Sequence, residues 1–296
     1  MIMSLSGSRI VIPGADGMAG RLLAATAREQ GREVAAFTSA QWDITDPRVA
    51  AEVIRPGDVV INCAAFTRVD AAEEDAERAH AVNAEGPGHL ARACAAAGAQ
   101  LIHISTDYVF SGTQRRPYEI DDPTGPVNVY GRTKLEGERA VLAALPTAHV
   151  VRTSWVYEGG DGADFAAAMR RAAAGDGAVD VVADQIGSPT YVGDLVTALL
   201  QVAGGGISAP VLHAANAGEA SRYEQARAVF EAVGADPDRV RPVGSDRHPR
   251  PAPRPMYSAL STRRSVAAGL TPLRPWREAL RDALATAAAR YPLRRE

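Results

Sequence analysis

The sequence predicts an α/β fold class, a doubly wound parallel sheet with a smaller second lobe, on three observations. Short β-rich apolar runs alternate with helix-patterned segments through the first half of the chain. A glycine-rich turn joins the first run to the first helix. After Trp155 this alternation loosens and prolines accumulate. Near-continuous apolar strands separated by helices bury both faces of a sheet, and that requires parallel strands with helical crossovers.

"RIVIPG" reads as the first strand, "MAGRLLAATAREQG" as a helix ended by Gly31, and "EVAAF" as the second strand. "PRVAAEVIR" is a helix opened by proline, and "GDVVINCAAF" is the third strand. One long helix is expected around "AERAHAVNAEGPGHLARACAAAG", then the strand "AQLIHIS", a helix from "NVYGRTKLEGERAVLAAL" and the strand "AHVVRTSW". Beyond these, "VVADQIGSPTYVGDLVTALLQVAGG" reads as strand, loop and helix, "VLHAAN" as a strand and "SRYEQARAVFEAVGA" as an amphipathic helix. "HPRPAPRPMYSAL" is too rich in proline for regular helix or central strand and reads as an extended loop. These elements place one lobe over residues 1–154 plus roughly 191–216, and the other over 155–190 and 217–296.

Composition excludes several function classes. The 296 residues carry a net charge of −3, and the basic residues are spread out apart from the terminal "RYPLRRE", so no footprint for nucleic acid is present. No stretch approaches the roughly 18 apolar residues of a membrane span, and "MIMSLSGSRIVI" lacks the pattern of a secretory signal, so the expected location is cytoplasmic. Cys63 and Cys94 sit in apolar surroundings without metal spacing, as small buried residues of a reducing compartment do.

"VIPGADGMAGRLL" places Gly14, Gly17 and Gly20 in a G-x-x-G-x-x-G spacing between strand and helix. Glycines there permit a tight turn and bring backbone N–H groups close to a pyrophosphate on the helix N-terminus; with a strand before and a helix after, this favours a Rossmann-like dinucleotide site over the alternative of a plain turn. The second strand ends in Phe37, Thr38 and Ser39, with no carboxylate to hold a ribose 2′-hydroxyl. Nothing there repels a 2′-phosphate, and Thr38 and Ser39 can donate to it, so NADPH is favoured and NADH stays open. Asp43, beside Ile44, is read as an adenine contact or as the cap of the following turn.

Tyr130 and Lys134 stand four residues apart and share one helix face. A nearby ammonium stabilises a phenolate and lowers the tyrosine pKa, which suits proton transfer. Ser105 and Thr106 end the strand "HISTDY", where the carboxyl ends of parallel strands receive ligands.

"GADGMAG", "INCAAFTRVDAAEED", "AVNAEGP", "STDYVFSG", "NVYGRTKLEGE", "VVRTSWVY" and "DQIGSPTYVGDL", through to "RPAPRPMYSALS", resemble in order and context the extended short-chain dehydrogenases. More narrowly they are similar to the dTDP-4-dehydrorhamnose reductases, especially actinobacterial forms. The resemblance implies reduction of the C4 ketone of a dTDP-4-dehydro-6-deoxysugar. Tyr130 would be the proton donor. Lys134 would hold the nicotinamide ribose and depress the tyrosine pKa, and Thr106 would bond the same carbonyl oxygen. Asp16, Met18, Cys63, Ala64 and Ala65 join the glycines, Thr38, Ser39, Asp43, Ile44, Tyr130 and Lys134 as expected cofactor contacts. The second lobe becomes a substrate-binding lobe for a dTDP-sugar. Thr67, Val69, Thr106, Asp107 and Tyr108 would line the substrate side, Trp155 would pack on the sugar or in the core, and Arg254 would meet the diphosphate unless its segment is only a stiff linker. Asn83 would fix local geometry near the cofactor.

Related 4,6-dehydratases follow the threonine with Asp-Glu, whereas this chain has Asp107 and Tyr108, so the base for dehydration is missing. Some family members bind magnesium at a dimer interface, but Gly193 beside Asp194 leaves no convergent carboxylate set, and no metal is expected; the protein is a monomer or homodimer on this reading. A reductase of another NDP-4-keto-6-deoxysugar and a non-catalytic NADP-binding regulatory subunit are the alternatives.

Overall fold

In a computed structural model that describes residues 7–291, strand and helix alternate through the first half of the chain. The opening "MIMSLS" and the closing "PLRRE" lie outside those residues. The order is β1 (Ile10–Pro13), α1 (Met18–Glu29), β2 (Val34–Phe37), α2 (Pro47–Val53), β3 (Val59–Asn62), α3 (Val69–Glu74), α4 (Ala76–His80), α5 (Gly86–Ala97), β4 (Gln100–Thr106), α6 (Val129–Ala144) and β5 (His149–Thr153). The rest follows as β6 (Val156–Tyr157), α7 (Phe165–Ala174), β7 (Val179–Val182), β8 (Ile186–Gly187), β9 (Thr190–Tyr191), α8 (Val192–Ala203), β10 (Val211–His213), β11 (Ala220–Ser221), α9 (Arg222–Ala232), β12 (Val240–Val243), α10 (Arg263–Ala267) and α11 (Trp276–Arg290).

Six strands form one sheet in the order β10-β5-β4-β3-β1-β2, and every pairing in it is parallel. Alternate residues face opposite layers. Ile10, Ile12, Val59 and Ile61 pack with Leu23 of α1 and Leu195 and Leu199 of α8, while Val11 and Val60 pack with Leu90 and Cys94 of α5 and Val141 of α6. All of these side chains are buried, each contributing roughly 1.5–3 kcal/mol of transfer free energy if it is a large aliphatic. Chain order reverses between β1 and β3, and this switch point opens a crevice at the carboxyl ends of the strands.

Two expected elements differ. The third strand stops at Asn62, four residues before the end of the run "GDVVINCAAF", because the chain leaves the sheet over the glycine turn. The long helix after it runs unbroken from Ala76 to Ala97, as expected, but is not regular throughout. Asp75 caps α4, and Ala81–Glu85 widens into a single π-helical turn before α5. That turn carries buried Asn83, whose amide donates to Phe66 O (3.1 Å) and Thr133 Oγ1 (3.2 Å) while its carbonyl accepts from Phe66 N (2.8 Å). Such bulges distort a helix to aim one side chain, and here the residue ties the β3–α3 loop to α6.

The second lobe packs α7, α9 and α11 around Tyr157, Val229, Trp276 and Leu280, with β12 and β7 paired in parallel beside them. From it the proline-rich stretch around residues 249–256 runs without helix or strand back across the first lobe. Pro253 O accepts from Asn128 Nδ2 at 2.8 Å, and Tyr257 N donates to Gly112 O at 3.2 Å.

Candidate active site

The glycine turn is built as the spacing predicts. Gly14 has φ of +79°, and a Cβ on it would lie 2.5 Å from Ala64 N; a Cβ on Gly20 would lie 2.3 Å from Gly14 O. Gly17 precedes α1 without a side-chain cap, so the first-turn N–H groups are left for an anion. This cradle fits a dinucleotide pyrophosphate. Gly20 serves it from behind, by helix-to-turn packing, and lines no cavity.

Two cavities meet at the turn and share Gly17, Cys63, Ala64, Ala65 and Thr67. The outer one, about 540 Å³, is lined by Gly14, Asp16, Ser39, Trp42, Asp43, Ile44 and Arg78 among others. Asp43 caps its own turn, accepting from Thr45 N (3.0 Å) and Thr45 Oγ1 (2.8 Å), and also pairs with Arg78 at 3.2 Å. Its pKa is lowered by these contacts against the opposing effect of burial. Ser39 donates to Asp16 Oδ2 at 3.3 Å. Thr38 does not line the cavity; its N–H donates to Gln41 Oε1 at 2.9 Å.

The inner cavity, about 380 Å³, brings together Met18, Thr67, Thr106, Asp107, Tyr130, Lys134 and Trp155. Each is positioned by the end of an element. Thr106 closes β4 and accepts from Tyr108 N at 3.2 Å. Asn128 caps α6, accepting from Gly131 N at 2.8 Å, and thereby sets the first turn that carries Tyr130. Trp155 follows β5 with φ of +47°, the only non-glycine residue with positive φ among the described residues, a strained backbone of the kind found at binding sites. The Thr153 hydroxyl in the same wall is buried without a hydrogen-bond partner, a polar group left for a ligand.

Lys134 is 2% exposed. Its ammonium donates to Ile104 O at 2.6 Å and lies 3.3 Å from His103 Nε2. Burial lowers its pKa to about 8. His103 Nδ1 lies 3.0 Å from Asn62 Nδ2, and burial, then the Lys134 charge, push its pKa well down, so the imidazole is neutral.

Tyr130 departs from expectation. Its pKa is raised, not depressed: burial acts most strongly, the neighbouring Thr106 hydroxyl opposes it, and Asp107 and Tyr108 add to the rise. Lys134 does not offset the burial because its ammonium is turned toward Ile104 and His103. Thr106 also differs, since its hydroxyl donates to Asp107 Oδ1 at 3.0 Å. Asp107 is 2% exposed and accepts as well from Ser154 (2.9 Å) and Ser258 (2.5 Å); burial raises its pKa against these three bonds.

Three expected substrate contacts line neither cavity. Val69 opens α3. Tyr108 stands behind Tyr130, ring edge to face at 5.8 Å. Arg254 pairs with Asp70 at 3.0 Å and donates to Ala252 O at 2.8 Å, which anchors the proline-rich stretch to α3. Conversely, sequence reasoning passed over Asn62, His103, Thr153, Arg78 and Arg222. Strand-end position could have pointed to Thr153; no spacing signals Arg222, which stacks on Trp155 from α9. Among the described residues no helix is long and apolar enough to cross a membrane.

Comparison with known proteins adds to this geometry. Residues 8–289 match the family model described as RmlD substrate binding domain. A dTDP-4-dehydrorhamnose reductase of Mycolicibacterium smegmatis is 68% identical over 284 residues, covering 96% of this chain and 87% of the relative. One from Mycobacterium tuberculosis is 62% identical over 290 residues, covering 97% and 95%. The crystal structure of the Bacillus anthracis dTDP-4-dehydrorhamnose reductase in complex with NADP superposes with a TM-score of 0.89 at 33% identity, covering 95% of this chain and 99% of that one.

Proposed function

This chain belongs to the dTDP-4-dehydrorhamnose reductase family, and we propose that it uses NADPH to reduce the C4 ketone of dTDP-4-dehydrorhamnose to dTDP-L-rhamnose. The observation that carries the reading is the convergence of Thr106, Tyr130 and Lys134 with Gly17 and Trp155 on one cavity of about 380 Å³.

Gly14 and Gly17 with the first turn of α1 hold the pyrophosphate, Ser39, Asp43 and Ile44 hold the adenosine end, and Lys134 and Thr153 hold the nicotinamide end. NADPH supplies the hydride. As C4 is reduced its oxygen gains negative charge, and Tyr130 O–H donates the proton to it. Burial that keeps Tyr130 protonated is an advantage for an acid in the reducing direction. Lys134 then stabilises the phenolate left behind once its ammonium turns from Ile104 O to the ribose and tyrosine. Thr106 supports the oxygen by exchanging its Asp107 bond for one to substrate. Trp155 and Thr67 bound the sugar. In this division of labour residues 1–154 and about 191–216 serve the cofactor and 155–190 and 217–296 the nucleotide sugar. The cytoplasm is the compartment inferred, supported by two free cysteines, which a reducing environment preserves.

The test is consumption of NADPH with enzymatically generated dTDP-4-dehydrorhamnose, the product identified by NMR. Turnover to dTDP-L-rhamnose supports the reading; NADPH binding with no consumption overturns it.

A further inference from the structure

Arg222 opens α9, directly after the capping Ser221, and stacks on Trp155, which lines the inner cavity. Its guanidinium lies 3.5 Å from the centre of the Trp155 ring and 4.9 Å from that of Phe165. The Trp155 ring is itself packed on Gly187, where a Cβ would come within 2.4 Å of it. Ring and guanidinium are therefore held as one rigid stack.

A guanidinium withdrawn from water needs a counter-charge. The hydrogen bond that Arg222 makes is to the neutral Gln225 Oε1 at 3.1 Å, and among the described residues no carboxylate lies within ion-pair reach of it. Asp107 is in the same neighbourhood, but its oxygens already accept from three hydroxyls. Burial lowers the Arg222 pKa to about 10; the fields of Tyr108 and Asp107 oppose it in part, and repulsion from Arg254 adds a smaller lowering. The fields of both arginines reach the Tyr108 hydroxyl. Two cations thus lie within each other's field, one of them already paired with Asp70 and the other, among the described residues, without an ion-pair partner.

We propose that Arg222 is a substrate-binding residue that takes the diphosphate of the nucleotide sugar, stacked on Trp155 so that the diphosphate and the sugar beside that ring are fixed together. This rests on the reading of the cavity as a nucleotide-sugar site. The planar guanidinium has most of its donors unused, which suits bidentate contact with phosphate oxygens. Trp155 holds it in place at no further entropic cost when the ligand arrives.

The test is calorimetric titration of wild type, Arg222→Gln and Arg222→Lys with dTDP, with thymidine as the ligand lacking phosphate and NADPH as the control for an intact fold. Arg222→Gln is expected to weaken dTDP binding about ten- to hundredfold, the loss of charge-assisted hydrogen bonds, with thymidine and NADPH unchanged. Equal dTDP affinity in wild type and Arg222→Gln overturns the proposal, as does a wild type that holds no dTDP. Should Arg222→Gln also lose NADPH, Arg222→Lys decides: partial recovery of dTDP binding with NADPH restored supports a role for the charge, and recovery of NADPH alone overturns it. A wild type that binds dTDP through Arg222 but reduces no 4-keto sugar removes the proposed reaction and leaves this contact standing. Reduction of the sugar with undiminished dTDP binding in Arg222→Gln does the reverse.

Discussion

Lys134 Nζ lies 3.3 Å from His103 Nε2, and Asn62 Nδ2 lies 3.0 Å from the other ring nitrogen. The Asn62 carbonyl accepts from Ala64 N, which orients its amide so that the NH₂ faces the ring. His103 Nδ1 is then an acceptor, and the neutral imidazole carries its proton on Nε2, facing the lysine. An ammonium meets a donor there and is held mainly by Ile104 O at 2.6 Å. The contact favours an unprotonated amine, in the same direction as burial.

Lys134 therefore makes cofactor capture sensitive to pH. With its pKa lowered to about 8, kcat/KM for NADPH is expected to fall as pH rises through about 8, the cation being lost. The anionic cofactor holds the proton on, so kcat should fall only at higher pH. A kcat/KM profile flat from pH 7 to 9, measured by initial rates, would contradict this.

The same burial makes Lys134 costly to the fold. Its folded pKa is below its unfolded value, so the penalty is full below about pH 8 and is relieved as pH rises toward 10.5. Lys134→Met is expected to be more stable than wild type by about 1–3 kcal/mol at pH 7, by denaturant titration, while losing reductase activity. Its advantage should shrink between pH 8 and 10.5.

Tyr130→Phe removes the proposed proton donor and leaves the ring in place. A kcat reduction of about 10²–10⁴-fold is expected, with NADPH affinity within a few-fold of wild type by fluorescence titration. Retention of most activity would assign proton delivery to another group.

Gly131 follows Tyr130, and a Cβ on it would lie 2.1 Å from Tyr108 O. Backbone cannot yield as a flexible side chain does, so Gly131→Ala must displace the first turn of α6. The expected cost is about 1–3 kcal/mol of stability, together with a fall in kcat that exceeds any rise in KM. A variant with wild-type kcat and unfolding midpoint would refute the close approach.

Behind the site, Arg152 and Glu138 form a buried ion pair at 2.7 Å, and Ser105 donates to the same carboxylate at 2.6 Å. Glu138→Ala leaves the guanidinium uncompensated, and a loss of about 3–5 kcal/mol is expected in chemical denaturation. Replacing both partners by apolar residues should recover part of it.

Local pattern alone determined the parallel sheet, the glycine turn and the Tyr130–Lys134 face, because strand alternation, positive-φ glycine and helical spacing are properties of neighbouring residues. Thr106 was legible for the same reason, as the end of a parallel strand. The fold alone decided what those groups face. The π turn at Asn83 follows from contacts with Phe66 and Thr133, and the direction of the Tyr130 pKa follows from burial that no spacing reveals. Arg254 turned out to be bound to Asp70, a residue 184 positions earlier, while Arg222 stacks on Trp155 from a helix 67 positions later. Charges and rings so far apart in sequence meet only when the chain packs, and the desolvation that sets their chemistry arises at that step.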